Sequence, residues 1–109
     1  LRRQPWGRIV LIGSTAADEA PIGQAAFNAA KAGVVALGET AAAELAEYGI
    51  TVNVVMPSLI DTPATRAALP FADYVDWPDP DEIASVIEYL LGEDAGVVNG
   101  AVIPARGRT

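Results

Sequence analysis

The chain has 109 residues, half of them apolar, with 7 basic against 14 acidic side chains and a formal net charge of -7. That is enough for one domain, and the acidity argues against nucleic acid as a partner, because an anionic surface repels phosphate. With no Cys and no His, disulfides, thiolate metal sites and the commonest general base are all excluded, so no metal site is expected and acid–base chemistry falls to Lys, Tyr, Ser or carboxylates.

Leu1 to Gly7 reads as a basic lead-in, with nothing that suggests export. Arg8 to Ile12 is a short β-branched and aliphatic run ended by Gly13, the pattern of a strand buried on both faces of a parallel sheet. Ser14 to Gly23 is a loop of small residues with Pro21. From about Gln24 to Tyr48 the chain is Ala-rich and free of Pro, which favours a long helix. Val34, Leu37, Ala41 and Leu45 follow the three-or-four spacing of one helical face, widened by Val35, Ala42 and Ala46, a stripe that suits either the core or pairing with another helix. Gly49 marks the stop. Thr51 to Val55 forms a second buried strand, ended by Pro57.

Four prolines make Leu59 to Pro80 mostly irregular, with a short helix near Ala64 to Leu69. Asp81 is a candidate N-cap for a helix through Ile83, Val86, Ile87, Leu90 and Leu91. Val97 to Gly100 is a turn and Ala101 to Pro104 a third strand. Trp6 and Trp77 are expected to be buried. No run approaches the roughly 20 apolar residues of a membrane span. Strand, helix, strand, helix, strand predicts an α/β fold: three parallel strands joined by long crossover helices. Ser14, Lys31 and the Pro57–Thr62 loop then share the carboxyl edge of the sheet, where ligands bind in such folds.

The residues at that edge resemble a family. Gly7-Arg8-Ile9-Val10-Leu11-Ile12-Gly13-Ser14 is similar to the fifth strand of short-chain dehydrogenases/reductases, which ends in their catalytic serine. Their tyrosine follows thirteen residues later and their lysine four after that, which here are Phe27 and Lys31. Gly23 to Val34 is similar to the corresponding stretch of the 3-oxoacyl reductase branch. Gly49 to Pro57 resembles the sixth strand, Asp61-Thr62 the segment after the Pro-Gly turn (with Ser58 for Gly), and Asn99 to Pro104 the seventh strand.

The resemblance implies the C-terminal part of a Rossmann-like doubly wound sheet, with residues 1–109 a single partial domain. The family's N-terminal half, with its glycine-rich pyrophosphate turn, has no counterpart in these residues. It implies NAD or NADP as cofactor, not bound tightly by this chain alone, and a small carbonyl or alcohol substrate. Ser14 is then the hydrogen-bond donor to the carbonyl oxygen, and Lys31 the residue that activates the proton donor and holds the nicotinamide ribose. The backbone around Pro57 and Ile60 and the Thr62 hydroxyl are placed to hold the carboxamide, though Thr62 equally suits a helix cap before Pro63. Phe27 has no hydroxyl, so the resemblance predicts impaired catalysis. The alternative is a non-catalytic association module that forms a homo-oligomer through the long helix. A cytoplasmic location is expected with either.

Overall fold

The computed structural model describes residues 6–71 and 77–107. Strand β1 (Gly7–Ile12) leads through a one-turn helix, α1 (Ala16–Glu19), into the long α2 (Ala25–Leu45). Strand β2 (Ile50–Pro57), the short α3 (Pro63–Ala68), α4 (Pro80–Leu91) and β3 (Val102–Ala105) follow. The strands form one parallel sheet in the order β1-β2-β3. The expected lead-in of residues 1–5 and part of the irregular stretch lie outside the described residues.

Burial follows position in the sheet. β2 is flanked on both sides, and every residue from Thr51 to Pro57 is buried. β1 departs from the expectation of a strand buried on both faces: Ile9 and Ile12 are 39% and 43% exposed. Among the described residues β1 pairs only with β2, so no strand lies along its other edge and its apolar side chains stay partly exposed.

The register sets Leu11 beside Val54 and Arg8 beside Thr51. Alternation along each strand then puts Leu11 and Val54 on one face and Arg8 and Asn53 on the other. Helix α2 covers the first face: a Cβ on Gly38 would lie 2.5 Å from Val54 and 3.4 Å from Leu11. The second face looks to α4, whose closing residue Gly92 accepts a 3.0 Å bond from Arg8 Nε. The sheet is thus a three-layer sandwich in which α2 can come close because Gly38 has no side chain.

The expected stripe of α2 largely lies against the sheet: Ala42 is buried and Val34, Val35, Ala41 and Leu45 are half-buried, while Leu37 and Ala46 are exposed. Gly38 is buried with Ala42, and Leu37 is 61% exposed. Gly38 lies in the middle of that stripe, where the backbone of α2 comes close to β2. Leu37 faces away with Ala29, Ala30 and Gly33.

Three local expectations also change. Asp79, not Asp81, caps α4: its carboxylate accepts from Glu82 N at 2.8 Å while Glu82 Oε1 accepts from Asp79 N at 3.0 Å. Pro80 occupies the first helical position, where its missing N–H costs nothing, so the helix starts two residues early. β3 starts and ends one residue later than predicted. Trp77 is buried, but Trp6 is 39% exposed and its ring lies 4.7 Å from the Arg8 guanidinium carbon.

Asn53 and Asn99 tie β2 to the turn before β3. Asn53, 1% exposed, donates to Val98 O at 3.0 Å and accepts from Ala101 N at 2.9 Å. Asn99 accepts from Val52 N at 2.9 Å and donates to Ala42 O at 3.2 Å. Side-chain amides here carry a ladder that β3 enters only at Val102, so few buried polar groups go unpaired.

Candidate active site

All three strands end at one edge, and a cavity of about 410 Å³ opens there. Ser14 and Thr15 follow β1, Ser58 and Leu59 follow β2, and Arg106 follows β3; all five line it, with Glu19, Pro21, Gln24 and Phe27. The backbone locks the loop after β1 onto β2: Gly13 N donates to Val55 O at 2.8 Å and Thr15 N to Pro57 O at 3.1 Å. Gly13 packs closely, since a Cβ there would lie 3.2 Å from Met56 and from Val54 and would press on both.

Ser14 Oγ accepts from Ala16 N at 3.1 Å. A serine hydroxyl carries one hydrogen and two lone pairs, so this contact leaves its O–H able to donate. Phe27, in the first turn of α2, lines the same cavity and is 47% exposed. One turn on, Lys31 Nζ donates to Ile12 O at 3.3 Å and stands 5.7 Å from the centre of the Phe27 ring. The predicted trio therefore converges: Ser14 and Phe27 share the cavity, and Lys31 is anchored at the end of β1 against the Phe27 ring. Asn28 Nδ2 donates to Pro21 O at 3.0 Å and fastens the loop to the start of α2.

The carboxamide set is more dispersed. Pro57 is buried and its carbonyl is occupied by Thr15 N. Ile60 is half-buried. Thr62 caps α3, its Oγ1 accepting from Thr65 N at 3.1 Å and lying 2.8 Å from Thr65 Oγ1. It lines a separate cleft with Asp61, Pro63 and Arg66, where Arg66 grips Asp61 through contacts of 2.5 and 2.8 Å. That bidentate grip holds the Asp61 carboxyl below its usual range.

Sequence reasoning missed Thr15, Glu19, Gln24 and Arg106. Arg106 was within reach, since it is two residues past Pro104 on the edge where ligands bind. Nothing in the pattern marks Glu19. Its carboxyl is held below the usual range by the Thr15 hydroxyl first and by Arg106, 3.3 Å away, second.

Residues 1–107 match the family model described as enoyl-(acyl carrier protein) reductase. The chain belongs to the short-chain dehydrogenase/reductase superfamily. Within it, the chain is 38% identical over 115 residues to the 3-oxoacyl-(acyl-carrier-protein) reductase of Mycobacterium tuberculosis, covering 98% of this chain and 47% of that protein. It is 35% identical over 112 residues to the (3R)-3-hydroxyacyl-CoA dehydrogenase of Rattus norvegicus, covering 93% of this chain and 42% of that protein. The solved structure of levodione reductase superposes with a TM-score of 0.81 at 31% identity, covering 93% of this chain and 45% of that one. A short-chain type dehydrogenase/reductase from Mycobacterium ulcerans gives 0.81 at 28% identity, covering 90% and 39%. The sheet is accordingly Rossmann-like, and the chain spans about half the length of the curated relatives it matches. Among the described residues no helix is long and apolar enough to cross a membrane.

The nicotinamide cofactor of the superfamily can be tested against these side chains. An ammonium group at the end of β1 and a serine hydroxyl in the adjoining cavity suit the ribose and the reacting carbonyl. They fit the nicotinamide end of a dinucleotide. Gly13-Ser14-Thr15 is no phosphate cradle, so the pyrophosphate end has no holder in this set.

Proposed function

We propose that this chain forms the substrate- and nicotinamide-side half of an NAD(P)(H)-dependent carbonyl reductase or alcohol dehydrogenase, impaired at the proton-transfer position. The observation that carries the reading is the shared cavity of Ser14 and Phe27 with Lys31 against the Phe27 ring. Relatives named as 3-oxoacyl reductases and a 3-hydroxyacyl-CoA dehydrogenase act on the same functional group from its two oxidation states, which supports a β-oxygenated acyl substrate. The bound nicotinamide would supply or take up hydride. Ser14 donates a hydrogen bond to the substrate oxygen, and Lys31 holds the ribose hydroxyls. Of the carboxamide set, Thr62 is engaged in capping α3 and Pro57 O is bonded to Thr15 N, so a carboxamide would have to draw on the backbone near Ile60. Phe27 shapes the cavity wall but moves no proton. A serine hydroxyl is a poor acid at neutral pH, so charge developing on the oxygen is stabilised by one hydrogen bond and not discharged.

The test supplies the cofactor-binding half by fusion and follows NAD(P)H oxidation with β-keto substrates. Phe27→Tyr adds a hydroxyl where Lys31 can activate it, and loss of a general acid typically costs about 10²–10⁴-fold. A gain of at least about tenfold is expected, equivalent to about 1.4 kcal/mol of barrier. Turnover of about 1–10 s⁻¹ by the Phe27 form, within the usual enzyme range, would show that the proton comes from elsewhere.

A second reading, association without catalysis, is favoured by one observation: Leu37 is 61% exposed on a face of α2 made otherwise of Ala29, Ala30 and Gly33. Small residues let helices approach closely, and a homo-oligomer through α2 fits that surface. Leu37→Lys should then lower the mass found by light scattering. An unchanged mass removes α2 from the interface. A cytoplasmic setting accompanies either reading.

A further inference from the structure

Ser14 opens the one-turn helix α1, and its carbonyl accepts from Ala17 N at 3.0 Å. Helix α1 has four residues, too few to persist alone, and its first residue is preceded by Thr15, whose side chain makes no cap. It ends at Ala20 in the left-handed region, φ 49°, a conformation that costs an L-residue about 1–2 kcal/mol. Such backbone persists only where its surroundings over-determine it. Yet this turn fixes Ser14, because the amide donating to Ser14 Oγ is Ala16 N, the first of the helix.

The turn packs on α2, Asn28 holds its exit at Pro21, and its two ends are tied to the sheet. Thr15 N is bonded to Pro57 O on β2. At the other end Glu19 accepts from Arg106 Nη2 at 3.3 Å, across 87 residues of sequence. Thr15 is 5% exposed and its carbonyl accepts from Glu19 N at 3.0 Å, so the residue that meets Arg106 is tied by its backbone to the start of the turn. Glu19 and Arg106 also line the cavity that Ser14 faces.

We infer that Arg106 is a positioning residue for Ser14: through Glu19 it clamps α1 to the end of β3, keeping the Ser14 oxygen on Ala16 N and its hydroxyl hydrogen turned to a ligand oxygen in the cavity. The clamp deepens the reading of Ser14 as the carbonyl's hydrogen-bond donor and rests on it for its purpose. The pair is exposed, so its strength is modest: an exposed ion pair shifts a local equilibrium by about two- to fivefold.

The test is the amide spectrum of the 109-residue chain labelled with ¹⁵N. Arg106→Ala and Glu19→Ala should each move the Ala16 and Ala17 resonances upfield, toward unbonded positions, and speed their hydrogen exchange about two- to fivefold. Val54 and Val55, buried in β2, should stay in place and show that the sheet is intact. Arg106→Lys should largely restore the native positions, and the double variant should shift no further than either single one. The inference is overturned if Ala16 is unmoved in Arg106→Ala, if Arg106→Lys shifts it as far as Arg106→Ala does, or if the two single effects add. Failure here leaves the Phe27→Tyr rate experiment untouched, and failure of that experiment leaves the clamp standing, so the two are separable.

Discussion

Replacing Gly38 by alanine sets two terms against each other. In a helix interior alanine is favoured over glycine by about 1 kcal/mol. The new Cβ, however, would lie 2.5 Å from Val54 Cγ2, with Leu11 Cδ1 at 3.4 Å. Real Cβ atoms do not approach so closely, and Val54 is 1% exposed and stiff at χ1, so α2 must lift from the sheet. Overpacking of this kind costs about 1–3 kcal/mol. The net expectation is a loss of up to about 2 kcal/mol, or a fall of several degrees toward the upper end at about 4–8 °C per kcal/mol for a domain of this size. Gly33 is the internal control: it sits in the same helix with nothing within 4 Å of its would-be Cβ. Gly33→Ala should stabilise by about 0.5–1 kcal/mol. Val54→Ala removes the obstructing methyl, so the Gly38→Ala cost should shrink in that background, a coupling of about 0.5–3 kcal/mol in a double-mutant cycle. Urea melts followed by circular dichroism measure all four forms. If Gly38→Ala and Gly33→Ala shift stability in the same direction, the close approach of α2 to β2 is wrong.

Asp79→Ala breaks the reciprocal cap of α4 and should cost about 1 kcal/mol in the same melts; Asp81→Ala should cost little. Asn53→Ala leaves Ala101 N and Val98 O without partners in the core, and each abandoned group costs about 1–3 kcal/mol, so severe destabilisation is expected. The Asp61 carboxyl is held below its ordinary value of about 3.9. A lowered folded value means that the contact with Arg66 stabilises above the unfolded value and is lost as pH falls through the folded one. A ¹³C titration should place the Asp61 midpoint below 3.9, and Arg66→Ala should raise it. A ligand titration by calorimetry should find no NAD(P)(H) binding tighter than about 10 μM, near -7 kcal/mol, by this chain alone.

The parallel sheet was legible because its signals are strong and local. Thr51 to Val55 is a continuous apolar run broken only by Asn53, and Gly49 and Pro57 bracket it. The Ser14–Phe27–Lys31 trio came from the family resemblance, and the structure places Ser14 and Phe27 on one cavity with Lys31 beside the Phe27 ring. Most of the inward face of α2 was legible too, in Val34, Val35, Ala41, Ala42 and Leu45; Gly38 was not, because a missing side chain leaves no mark in an apolar pattern, and Leu37 was misplaced. The start of α4 was misplaced because Asp79 and Asp81 both suit a cap, and only the return bond from Glu82 separates them. Arg106 and Glu19 lie 87 residues apart, and no local pattern joins them.

Asn99-Gly100 is the chemically most perishable step in the chain. An asparagine followed by glycine ages when the glycine nitrogen attacks the side-chain carbonyl, closes a succinimide ring and sheds ammonia. Here that nitrogen is bonded to Val52 O at 2.9 Å, and the Asn99 amide is held at both ends, by Val52 N and by Ala42 O. Neither reacting group can turn toward the other while the turn before β3 is closed. The shelf life of this peptide unit is therefore set by how often the turn opens, and deamidation at Asn99 becomes a slow, cumulative record of those openings.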